Sequence, residues 1–72
     1  MSIKPGIYNH YKGNEYRVHF VARHSETLED YVIYEPLYES ESLYWVRPLK
    51  MFCENVIVDG KEVPRFQFMR EE

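Results

Sequence analysis

The chain has 72 residues, 44% of them hydrophobic, 29% charged and 17% aromatic, with seven tyrosines and a formal net charge of −3. One domain spanning residues 1–72 is expected, and a domain this small buries only about 60% of the surface its unfolded chain exposes, so most of the rings are needed for a core. The acidic balance excludes broad, non-specific nucleic-acid binding, which depends on phosphate neutralisation, and a single cysteine excludes an internal disulfide framework.

The opening MSIKPGIYNH has no apolar stretch of signal-peptide length, and nothing approaches a membrane span, so a cytoplasmic protein without membrane contact is expected. GIYNHY, then KGN at 12–14, then EYRVHFVAR at 15–23 predict a hairpin. In the second strand Tyr16, Val18, Phe20 and Ala22 share one face, with Glu15, Arg17, His19 and Arg23 opposite. If Gly13-Asn14 forms a two-residue turn, paired residue numbers sum to 27. Ile7, Asn9 and Tyr11 then join Tyr16, Val18 and Phe20 inside, while Tyr8, His10 and Lys12 join Arg17 and His19 outside.

HSETLED at 24–30 predicts a polar turn. TLED also fits a helix capping box, but a β-branched, Tyr-rich run follows too closely for a helix. In YVIYEPLY, apolar on both faces, Pro36 marks an edge or a bulge. ESES at 39–42 predicts a further turn, and LYWV a fourth strand. Pro48 ends its ladder, and Leu49, Met51 and Phe52 form one helical turn over the core. Val56 to Val58 and Val63 to Phe68 close around Asp59-Gly60, the strongest hairpin signal in the chain. The fold class is all-β: five or six short antiparallel strands in a small, partly closed barrel with one short helical turn.

The chemistry-bearing residues gather in two places. Arg23, His24, Ser25, Glu26 and Thr27 are consecutive at a strand end. Ser25 and Thr27 are suited to bonding nearby backbone amides, with Glu26, Glu29 and Asp30 facing water. A Ser/His nucleophile is disfavoured, because sequence neighbours in extended chain point apart and the glycine-flanked elbow is absent. Trp45 and Arg47 alternate onto one face of a strand, where a cation beside an indole can hold a planar or anionic ligand. The competing expectation is Trp45 in the core with Arg47 reaching solvent along its apolar stem.

His10, His19 and His24 lack partners at metal-ligand spacing, and no glycine-rich phosphate loop exists, so neither metal nor cofactor is expected. Cys53 is expected to be a small buried hydrophobe. EPLYES is similar to the Tyr-bearing segment of peptide-binding SH3 domains.

Gly6-Ile7-Tyr8, His10 to Gly13, Ala22 to Thr27, Trp45 to Leu49 with Met51-Phe52, and Val58 to Lys61 with Pro64-Arg65-Phe66 together resemble the bacterial domain-of-unknown-function family 1653 (DUF1653). The resemblance spans essentially the whole chain and implies a small antiparallel SH3-like β-barrel, with no reaction attached. The family pattern has Arg in place of Asn9 and glycine in the loop occupied here by ESES.

These readings converge on a binding or regulatory module rather than an enzyme. The expected site is Arg23, His24, Ser25, Glu26 and Thr27 with Trp45 and Arg47, flanked by Tyr8 and His10. It would take an anionic small molecule, a nucleotide or a short single-stranded nucleic acid. The alternative is a protein-interaction adaptor that takes a peptide in an aromatic groove or on an open strand edge.

Overall fold

In a computed structural model, residues 3–38 and 43–71 are described. The elements in chain order are β1 (Gly6–His10), β2 (Glu15–Arg23), β3 (Asp30–Pro36), β4 (Trp45–Pro48), the helical turn α1 (Leu49–Phe52), β5 (Asn55–Val58), β6 (Lys61–Pro64) and β7 (Phe66–Arg70). Five strands form an antiparallel sheet in the order β4-β3-β2-β1-β7, and β5 and β6 form a separate hairpin. Among the described residues the strands number seven rather than five or six. Among the described residues β4 and β7 are the edges, so the sheet is not closed into a barrel, and side chains span the gap instead. Arg47 of β4 lies over the ring of Phe66 of β7, and Tyr34 of β3 meets the same ring edge-on at 5.7 Å.

The β1–β2 register differs from the expected one. Gly6 faces Val18, Ile7 faces Arg17 and Tyr8 faces Tyr16, so paired residue numbers sum to 24. The chain turns through residues 11–14, closed by the His10 N–H donating to the Asn14 carbonyl at 2.8 Å and the Gly13 N–H to the His10 carbonyl at 2.7 Å. Tyr8 therefore points into the core, only 6% exposed, rather than outward. Its ring packs edge-on against Phe52 and Phe68 at 5.4 and 5.3 Å, and its hydroxyl donates to the Lys4 carbonyl at 2.8 Å. Ile7, between Arg17 and Arg70 in the ladder, is fully buried as well. With both neighbours buried, alternation in β1 selects no register.

Phe20 also departs from the expected inward alternation. The β2–β3 pairing shifts between Val18 and Phe20, so one extra residue enters β2 and the alternation changes phase. Phe20 turns outward, 58% exposed, and Val21 takes its place opposite the buried Val32.

Tyr8, Tyr16, Val18, Val32, Tyr34, Leu49, Phe52 and Phe66 make the core. Phe52 and Phe66 stack face to face, centroids 4.0 Å apart and planes within 4°. In α1 Leu49 and Phe52, three residues apart, share the buried side. Cys53, just after it, is exposed rather than buried. At the β5–β6 turn Asp59 and Gly60 both adopt the left-handed region, φ 51° and 77°, as a two-residue hairpin with right-handed strand twist requires. The turn expected at ESES lies outside the described residues. Among the described residues no helix is long and apolar enough to cross a membrane.

Candidate functional site

The two groups of chemistry-bearing residues lie at different places on the sheet. Arg23 ends β2 opposite Asp30, and its Nε donates to the Asp30 carboxylate at 3.1 Å. His24 then starts the turn. Its Nδ1 accepts the backbone N–H groups of Glu26 and Thr27 at 3.1 and 3.2 Å, while its own N–H and C=O bond to Glu29 and Leu28. Thr27 Oγ1 accepts the Glu29 N–H at 3.2 Å. The imidazole and one hydroxyl are thus used on the loop's own backbone, as short polar side chains in turns commonly are. Ser25 and Glu26 are exposed beside them.

Two depressions flank this turn. One, about 540 Å³, lies between Thr27, Leu28, Glu29, Asp30, Leu49 and Lys50. The other, about 270 Å³, has an apolar floor of Ala22, Tyr31 and Val46 with Arg23 and His24 beside it.

Trp45 and Arg47 share the core-side face of β4, opposite Tyr34 and Val32. Arg47 is two strands over and two residues along from Arg23, roughly 12 Å between backbones. Its side chain runs the other way, toward Phe66: the Nε donates to the Tyr34 hydroxyl at 3.2 Å and the guanidinium sits 5.6 Å from the Phe66 centroid. Trp45 is half-buried against Tyr16 and Tyr34 and also meets the exposed Tyr38, centroids 5.9, 6.2 and 6.4 Å away.

His10 belongs to this second group. Its ring packs edge-on to Phe66 at 4.9 Å, and its Nδ1 accepts the Lys12 N–H at 3.1 Å. Burial, then the nearby cations Arg47, Lys12 and Arg65, hold its imidazole below the usual range. His24 lies beyond the far end of β2, about 25 Å of extended chain from Glu15. One small ligand cannot touch both histidines. Tyr8, expected at the rim, is in the core.

The cations differ in how they are paired. Arg17 bonds Glu35, Arg23 bonds Asp30, Arg65 bonds Glu54 and Arg70 bonds Glu15. Among the described residues Arg47 is the arginine with no carboxylate partner, although it is half-buried.

Sequence reasoning missed Arg65, Tyr16 and Tyr38 at this place. Arg65 lies at the bend between β6 and β7, next in sequence to Phe66, whose ring Arg47 covers, and the signal for it was the Pro64 that ends β6. The Tyr16 and Tyr38 hydroxyls are 3.2 Å apart; burial first, and the bond to Tyr38 second, push the Tyr16 phenol up to about 12. No local pattern announces that pairing. Among the described residues no group of three His, Cys, Asp or Glu side chains is gathered to hold a metal.

The family model described as a protein of unknown function, DUF1653, matches residues 6–68. A crystal structure of a protein belonging to DUF1653 from Bordetella bronchiseptica is similar at 35% identity and a TM-score of 0.89, covering 97% of this chain and 91% of that one. No curated protein matches the chain.

Proposed function

Because this chain belongs to the DUF1653 family, a description that carries neither reaction nor ligand, we propose a function from its own side chains: a cytoplasmic binding module that grips an anionic, ring-bearing ligand at Arg47. A nucleotide or a short single-stranded nucleic acid has that chemistry. The observation that carries the reading is the guanidinium of Arg47, half-buried, oriented by the Tyr34 hydroxyl and the Phe66 ring, and without a carboxylate among the described residues. A cation drawn out of water without a counter-charge is costly, and an incoming phosphate lowers that cost. Trp45 and Tyr38 beside it offer ring faces for a base. Arg23 to Thr27 serve the turn in this reading and stand outside the grip.

The test is a two-dimensional amide NMR titration with mononucleotides and short single-stranded oligonucleotides, for the native chain and for Arg47→Met, which keeps an apolar stem on Phe66. Shifts centred on Trp45, Arg47 and Phe66 that weaken with salt and vanish in the variant support the grip. Shifts that persist in Arg47→Met refute it.

A second reading is favoured by the opposite face. Phe20, Ile33 and Val46 lie in one row across β2, β3 and the edge strand β4, and Phe20 and Val46 are 58% and 61% exposed. A peptide laid on that row would bind with little salt dependence and would move Phe20 and Val46 rather than Arg47.

A further inference from the structure

We infer that His10 is a proton-operated second arm of the Arg47 grip, so that the site holds a phosphodiester more tightly as the pH falls; this rests on the reading of Arg47 given above. The geometry supplies the reasons. His10 and Arg47 approach the same Phe66 ring, the imidazole centroid at 4.9 Å and the guanidinium carbon at 5.6 Å. The imidazole is fixed there by Tyr11, tilted against it at 4.6 Å, and by Tyr16 at 6.2 Å. Its Nδ1 accepts the Lys12 N–H, so the neutral ring carries its proton on Nε2.

The charged groups around it are of one sign on nearly every side. Arg47 faces it from β4, Lys12 from its own turn, and Arg65 from the bend before β7, the last with Glu54 as partner. Tyr11 and Tyr16 pack against it from the turn and β2, and burial raises the Tyr16 phenol further from ionisation. No carboxylate bonds His10 among the described residues. Without a ligand, burial first and then these cations hold the imidazole below its ordinary 6.5.

An anion seated on Arg47 reverses the balance. It cancels the charge that opposed protonation and gives the imidazolium a counter-ion. By linkage, proton uptake by His10 then tightens the anion to the same degree. Protonation at Nδ1 also breaks the bond from the Lys12 N–H, while the two backbone bonds between His10 and residues 13 and 14 can persist. The Lys12 amide therefore reports the switch.

The experiment uses trithymidylate without a terminal phosphate, whose diester charge is constant between about pH 5 and 8, so any pH dependence belongs to the protein. Affinity is measured by calorimetry at fixed ionic strength, and the His10 ring and Lys12 amide are followed by NMR, in the native chain, His10→Gln, His24→Asn and Arg47→Met. Affinity in the native chain is expected to rise about fivefold from the upper to the lower end of that range. The His10 midpoint should move up when the site is saturated. His10→Gln should show a flat profile, and His24→Asn should keep the rise.

A flat profile in the native chain, with binding that Arg47→Met abolishes, overturns the inference and leaves the grip standing. A rise that survives in His10→Gln also overturns it. Absence of binding at every pH overturns the grip itself, and this inference with it.

Discussion

Replacing His24 with alanine tests whether the polar run after β2 shapes the chain. The substitution removes one acceptor, Nδ1, that serves the N–H groups of Glu26 and Thr27 at 3.1 and 3.2 Å. Both donors are exposed and will turn to water, and a single ring nitrogen shared by two donors is worth about one good bond rather than two. Side-chain acceptors in comparable capping positions contribute about 1 kcal/mol, and the same is expected here. The backbone bonds of His24 to Leu28 and Glu29 do not depend on the side chain and keep the turn closed. For a domain of this length the loss lowers the melting temperature by about 4–8 °C. Urea and thermal unfolding near neutral pH measure it, with His24→Asn as the control, since its amide oxygen can accept from the same amides. An unchanged unfolding midpoint in His24→Ala refutes the structural role, as does an asparagine variant that is no better than alanine.

Gly6 has φ 147°, and a Cβ there would stand 2.6 Å from the Arg70 carbonyl oxygen and 2.9 Å from Phe68, so Gly6→Ala should cost upwards of about 2 kcal/mol in urea unfolding by parting β1 from β7. The Glu35 carboxylate accepts Arg17 Nη1 at 3.0 Å and bonds His19 Nε2 at 2.9 Å, and these bonds, the arginine's first, hold it below its ordinary 4.5. A carboxyl depressed in the folded state contributes stability above its unfolded pKa and loses it as the pH falls through the folded one. Glu35→Gln should therefore unfold more readily than the parent near neutral pH, with the difference closing below 4.5 in parallel pH series.

What could be read from the sequence was what is settled by near neighbours. Asp59-Gly60 fixes its own hairpin through backbone angles that those two residues favour, and Leu49 with Phe52 marks a single turn after a proline. The strand at 15–23 was legible for the same reason. Its bulge was not: Phe20 continues the apolar alternation of Tyr16 and Val18, so the pattern shows no break where the backbone makes one. The register of β1 was hidden because Ile7 and Tyr8 are both buried, which leaves two pairings equally plausible to a period-two argument. For the candidate site, the alternation of Trp45 and Arg47 onto one face could be foreseen, whereas the approach of His10, Phe66 and Arg65 depends on β1 lying beside β7. That pairing joins residues nearly the whole chain apart, and no local signal reports it.

The strand order has a consequence for how the molecule comes into being. β1 lies between β2 and β7, so during synthesis it acquires its second neighbour only after β2 through β6 and then β7 have been made. Until then one side of β1 is an unpaired edge, and Tyr8 lacks the Phe68 ring against which it packs. Contacts of such long sequence separation form slowly, since the loop they close must be ordered before they repay it. A nascent chain halted before residue 66 would present that edge to any passing strand, which makes prompt synthesis of β7 a safeguard against mispairing.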